Sequence, residues 1–309
     1  MHNNLLKPMS VGTIIDQTFR LYRNNFLSVI LFSLLIGGSI TAAISMFSRD
    51  AQLFGYFSSV FDMMKEITTG EGLNNFTENY TAPSLSKYLL SMLLSLLNMI
   101  LVMPFVSGGI VFITLAYAHG IKETAGVWFS QVRPLYGKLI ATMLAMIFAS
   151  SIIVSLLFTA FMIIVALVIA FGVQNTWLFL ILIPFALAFL LGLIALLAFI
   201  ALVYPAAVQE NLYGFKSIGR AWNLFRRKFW KTIGLVVLVY LITSIVTVVL
   251  SMAIAFLPWV AMYIADAAIG ALISPVALIA ITLLYLDIRM TKEGYDLQLR
   301  AESVEYDTN

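Results

Sequence analysis

The sequence predicts an all-α, polytopic membrane protein. Six transmembrane helices are grouped as three parallel pseudo-repeats, each preceded by a cytoplasmic interfacial amphipathic helix. Three observations carry this expectation. First, of 309 residues 61% are hydrophobic and 11% are charged, against roughly 25% charged in an ordinary soluble domain, and a water-exposed surface needs charge to stay dispersed. Second, the apolar residues fall in runs that can cross a bilayer core, which takes about 20 residues of helix. Third, the basic residues sit almost entirely on alternate connections.

The apolar runs cover about 26–48, 88–118, 139–172, 177–208, 229–257 and 268–288. About 25 mostly polar or amphipathic residues precede the first run, which is longer than the 7–15 residues of a signal-peptide core, so the first helix is expected to stay in the mature chain. Pro104 with Gly108 and Gly109, Pro184 with Gly192, and Gly270 with Pro275 are the expected break points, all in even-numbered helices. A single transmembrane domain is expected over 1–293, with repeats at about 10–118, 120–208 and 214–288. A polar cytoplasmic tail follows at 294–309, and an exterior loop covers about 49–87.

Fifteen of the 18 Lys and Arg residues lie on one side of this arrangement, and only Arg49, Lys65 and Lys87 on the other. Lys/Arg bias sets orientation, so both termini are expected in the cytoplasm. The net charge of +3 therefore reports topology rather than a polyanionic partner, and no nucleic-acid partner is expected. Cysteine is absent, which removes disulfides, thiol nucleophiles and thiolate metal sites.

The repeat rests on two markers. The segment WNLFRRKF at 222–229 aligns with FRLYRNNF at 19–26 and, more loosely, with WFSQVRPL at 128–135. Each stands just before an odd-numbered helix. The even-numbered helices end in ITLAY (113–117), IALVY (200–204) and ITLLY (281–285). Parallel repeats about an axis along the membrane normal follow. Phe19, Trp128, Trp222, Tyr117, Tyr204 and Tyr285 are then expected at the cytoplasmic interface, where aromatic belts lie.

In the third unit Phe215, Ile218, Trp222, Phe225 and Phe229 recur at helical spacing, with Lys216, Arg220, Asn223 and Arg227 opposite. In the first, Val11, Ile15, Phe19, Tyr22 and Phe26 oppose Asp16, Gln17, Arg20 and Asn24. Rings on one face and cations on the other suit a helix lying in the headgroup plane. Arg20, Arg23, Arg133, Lys216, Arg220, Arg226, Arg227 and Lys228 are the candidate contacts to anionic lipid headgroups. Two uses stay open: anchoring the bundle, or holding a specific anionic lipid or phosphate.

Catalytic motifs are not found: there is no HExxH, no GxSxG and no P-loop. Only His2 and His119 offer imidazole, so no metal and no cofactor are expected. Asp266 is placed in a short exterior segment between helices 5 and 6. Glu123, Glu210, Asp287 and Arg289 lie just past the cytoplasmic exits, as members of an inter-repeat polar network. Asn98 and the row Thr243, Ser244, Thr247, Ser251 suit interhelical hydrogen bonding.

Three stretches carry a family resemblance: LKPMSVGTIID (6–16) with FRLYRNNF (19–26); YPAAVQE (204–210) with Ser217 and AWNLFRRKFW (221–230); and LLYLDIRMTKEGYDL (283–297). Together they resemble the membrane domain N-terminal to some Gram-positive glycerophosphodiester phosphodiesterases, which also occurs as a stand-alone bacterial protein. The resemblance implies a six-helix plasma-membrane domain without the catalytic barrel, since about twenty residues after helix 6 are too few for one. The expectation is a non-enzymatic, transporter-like or accessory component handling lipid-derived or amphipathic molecules. Its partners are anionic membrane lipids and a possible membrane protein. The alternative is a structural or immunity-type scaffold that binds a membrane partner.

Overall fold

The computed structural model describes residues 8–47, 85–121, 125–172, 180, 182–254 and 256–294. Nearly all of these are helical and none is in a strand. Six helices are long and apolar enough to cross a membrane; the chain is a multi-pass membrane protein. The spanning helices are α2 (Phe26–Met46) and α3 (Leu89–Ala118), α5 (Tyr136–Gly172), α6 (Leu182–Ala201) continued by α7 (Val203–Glu210), α9 (Phe229–Ile254) and α10 (Trp259–Glu293). Three shorter helices lead into them: α1 (Val11–Asn24), α4 (Ala125–Val132) and α8 (Phe215–Arg227). The exterior loop and most of the polar tail expected from the sequence lie outside the described residues.

Each short helix packs on the preceding spanning pair. α4 touches α2 and α3, α8 touches α5, α6 and α7, and α1 touches α10, closing a ring. The return helices α3, α7 and α10 meet one another inside it. More than half of the most apolar stretch of α10 is buried, 56%, against 6% for the span that contains α5. α10 is thus the central post and the α5–α6 hairpin the outlying pair. Adjacent glycines let α3 approach both neighbours. A Cβ on Gly109 would fall 2.1 Å from the Phe32 ring of α2, and one on Gly108 would fall 2.5 Å from Leu139 of α5.

The breaks differ in part from those expected. α2, an odd-numbered span, has a π-helical middle at Ser33–Gly38, and α3 one at Asn98–Val102 just before Pro104. The fourth span breaks at Leu202, between α6 and α7 and three residues before Pro205, whereas Pro184 stands in the first turn of α6. α10 runs through Pro275 unbroken. Proline has no amide to donate, and a neighbouring tyrosine supplies a donor beside two of these gaps. Tyr22 donates to the Leu272 carbonyl at 2.8 Å, three residues before Pro275. Tyr136 donates to the Leu101 carbonyl at 2.9 Å, three residues before Pro104. Such rescue keeps a broken ladder tolerable inside a bilayer. Asp266 is also corrected: it lies within α10, not in a connecting segment, and accepts from Ser251 at 3.3 Å.

Candidate functional site: a polar rim and a lateral groove

Two carboxylate clusters tie the basic end of the bundle together. Arg220 on α8 donates through Nε to both Glu210 oxygens, at 2.8 and 2.6 Å. Its two terminal nitrogens fork onto Glu293 at the end of α10, Nη1 at 2.8 Å, the geometry that makes Arg–carboxylate pairs strong. Arg227 adds a contact to Glu293 at 2.9 Å, and Arg289 lies 3.6 Å from Glu210 and 3.4 Å from Glu293. The Tyr285 hydroxyl donates to Glu210 at 2.8 Å. The Glu293 hydrogen bond raises the Arg220 pKa above its already high ordinary value, so that guanidinium stays charged.

The second cluster centres on Asp287, a carboxylate with no solvent exposure. It accepts from the Met9 backbone amide at 2.7 Å, from Lys231 at 2.6 Å and from Lys228 at 3.1 Å, and Lys231 also reaches the Met9 carbonyl at 2.6 Å. A buried charge needs this much compensation. The result pins the segment ahead of α1, and the start of α9, to the central helix.

The short helices are oriented one step away from the expected stripe. α1 buries Ile14, Thr18 and Leu21; α8 buries Ser217, Ala221 and Leu224, together with Phe225. In the alignment of 19–26 with 222–229 the first three positions correspond one to one. Phe19 and Trp222, also aligned, are each 48% exposed. These buried faces make the protein contact, and Phe19 and Trp222 turn outward beside the spans. α8 starts at Gly214, whose φ of +63° suits glycine and whose amide donates to Thr142 of α5 at 3.0 Å.

Beneath α8 the α5–α6 hairpin leaves an apolar groove of about 530 Å³, lined by Leu157, Gly192, Ala195, Phe199, Gly219 and Trp222 among others. On α5 its wall runs from Ala149 to Leu157, about 12 Å at the ~1.5 Å rise of a helix. The volume lies within the roughly 300–1,000 Å³ of small-molecule sites. Under α1 a much smaller crevice of about 10 Å³ is lined by Ile15, Phe19, Thr243, Val276 and Ala280. Counting from the aligned markers, these positions correspond to Ile218, Trp222, Ala149, Ala195 and Phe199, all of which line the groove.

Of the candidate anion contacts, Arg220, Arg227 and Lys228 are committed to carboxylates. They are held as internal clasps by Glu210 of α7 and by Glu293 and Asp287 of α10. Arg20, Arg23, Arg133, Lys216 and Arg226 are exposed and make no ion pair among the described residues. Glu210, Asp287 and Arg289 stand in the rim, in two clusters rather than one; Glu123 lies outside the described residues. Tyr117, Tyr204 and Tyr285 are buried rather than spread along a lipid-facing belt, because the return helices carrying them converge. Asn24 donates to the Tyr117 hydroxyl at 2.8 Å, and Tyr204 donates to the Met143 sulfur at 3.3 Å. The side chain of Trp128 is not among those described. Sequence reading missed Glu293 and Lys231 as rim members; a carboxylate four residues after Arg289 in the same helix was the available signal for the first. It also missed the groove, for which Gly192 and Gly219 were the only hints. Compared with family models, with curated proteins and with solved structures, the chain matches none.

Proposed function

We propose that this is a non-enzymatic protein of the bacterial plasma membrane, transporter-like or accessory, which handles lipid-derived or amphipathic molecules. Its basic end and both termini face the cytoplasm. The observation that carries this reading is the groove. It is apolar, lies between α5, α6 and α8, and has the size of a ligand site. Its length of about 12 Å is close to the ~15 Å of hydrocarbon in one leaflet, which favours holding an amphiphile within a leaflet over a path across the bilayer. The rim carboxylates Glu210, Glu293 and Asp287 are all occupied by cations, which favours fastening over chemistry. The resemblance to a stand-alone bacterial membrane domain supports the plasma-membrane part of this reading.

The test is mass spectrometry of lipid retained through purification. Wild type should keep an amphiphile that Ala195→Phe, which places a ring in the groove, loses at least tenfold. Equal retention by both would sink the reading. A scaffold that binds a membrane partner is favoured instead by one feature, the large lipid-facing area of α5, where Leu144, Phe148, Leu156, Phe158 and Ile163 all project outward. In-membrane crosslinking from position 156 to a second polypeptide would support it.

A further inference from the structure

We propose that the groove takes one acyl chain of an anionic membrane lipid, with the lipid phosphate bound by Arg226 at its mouth. The inference rests on the reading of the groove as an amphiphile site and names the class of amphiphile. Six basic side chains lie between positions 216 and 231. Arg220, Arg227, Lys228 and Lys231 are ion-paired to Glu210, Glu293 or Asp287. Lys216 and Arg226 are exposed and without such a partner among the described residues.

Arg226 flanks the groove through helix spacing: it follows Trp222 by four residues and Gly219 by seven, whereas Lys216 lies opposite the lining stripe of Ile218, Trp222, Phe225 and Phe229. Residues so spaced share one side of a helix, and Trp222 and Gly219 line the groove. An amphiphile seated there meets an apolar trough next to a cation that makes no ion pair among the described residues. That pairing selects a chain attached to a negative headgroup over a zwitterionic one. An acyl chain also matches the lining, in which Leu157, Phe199 and Phe229 offer no polar group to anything else.

The full chain, reconstituted in nanodiscs of mixed phosphatidylglycerol and phosphatidylcholine, tests this. Native mass spectrometry reads the retained lipid. Quenching by acyl-brominated phosphatidylglycerol, taken as the difference between wild type and Trp222→Phe, reads chain entry. Wild type should retain phosphatidylglycerol selectively, and brominated chains should quench Trp222. Arg226→Gln should lower the phosphatidylglycerol preference about fivefold, the factor that one cation near a headgroup is worth, while chain quenching persists. Ala195→Phe and, as a second variant in case the first does not fold, Gly192→Leu should abolish both signals. An unchanged preference in Arg226→Gln overturns the headgroup assignment and leaves amphiphile binding standing. Displacement of the lipid by millimolar inorganic phosphate overturns the acyl-chain assignment. Full retention in a folded groove-filled variant, or no Trp222 quenching in wild type, overturns both this inference and the reading beneath it.

Discussion

The groove under α8 and the crevice under α1 occupy corresponding places in the chain, yet one holds about 530 Å³ and the other about 10 Å³. Ala149 and Ala195 on the open side align with Thr243 and Val276 on the closed side, but Phe199 aligns with the smaller Ala280. Side-chain size alone does not account for the difference, which is a matter of helices. α9 and α10 pack closely along their length, and α1 is pinned over them by the Met9–Asp287–Lys231 contacts. α5 is tied to the start of α8 by the Gly214–Thr142 hydrogen bond but makes no ion pair among the described residues, and most of its surface faces outward. The open site is therefore set by what the outlying hairpin lacks as much as by what lines it.

The largest effect should come from removing the pin. Asp287→Ala leaves Lys228 and Lys231 facing each other without a counter-charge and strands the Met9 amide. Breaking a buried pair from one side costs about 3–5 kcal/mol. The variant should melt well below wild type in detergent, and the segment ahead of α1 should become sensitive to protease. A wild-type melting curve would show that the closed side is shut by packing alone.

Arg220→Gln should have the next largest effect, about 2 kcal/mol, because charge-assisted bonds to two carboxylates are lost at a partly buried site. Its pKa is raised, so the guanidinium's contribution is in full force below its ordinary, unfolded value and is lost only as pH climbs through the raised one. Stability measured from neutral pH to about pH 10 should thus show no decline owed to Arg220. A decline in wild type that is absent in Arg220→Gln over that range would contradict the geometry.

Much of this was readable in the sequence, and the limits have physical causes. Six spans follow from bilayer thickness acting on apolar run length, so they survive with small shifts at their ends. α1 and α8 follow from periodicity. Which face of them meets protein does not, because beside lipid the apolar stripe has two possible hosts. Here lipid-side exposure goes to Phe19 and Trp222, while Thr18 and Ser217 are buried. Glu210, Asp287 and Arg289 stood out as ionisable groups near helix ends, but their partners depend on three-dimensional neighbours such as Glu293 and Lys231. The starting point of α10 was misplaced because Asp266 resembles a loop residue in a one-dimensional hydropathy reading. The π-helical middle of α2 carries no proline to announce it.

The smallest prediction has the opposite sign. Gly219 lies within α8, and a Cβ there would meet no atom within 4 Å. Alanine is favoured over glycine in a helix interior by roughly 0.5–1 kcal/mol, and no packing term opposes it here. Gly219→Ala should therefore raise the melting temperature slightly. The contrast is Gly109→Ala, where the added carbon meets the Phe32 ring at 2.1 Å and overpacking should cost about 1–3 kcal/mol. The same methyl group at 219 also projects beside the groove. If a chain lies against α8, the variant should bind it somewhat more weakly while being the more stable protein. Stability and retention would then move in opposite directions, which a generally loosened fold does not produce. If both rise together, the groove wall at Gly219 is not where the ligand packs, and the contrast between open and closed sites has to be located nearer Gly192.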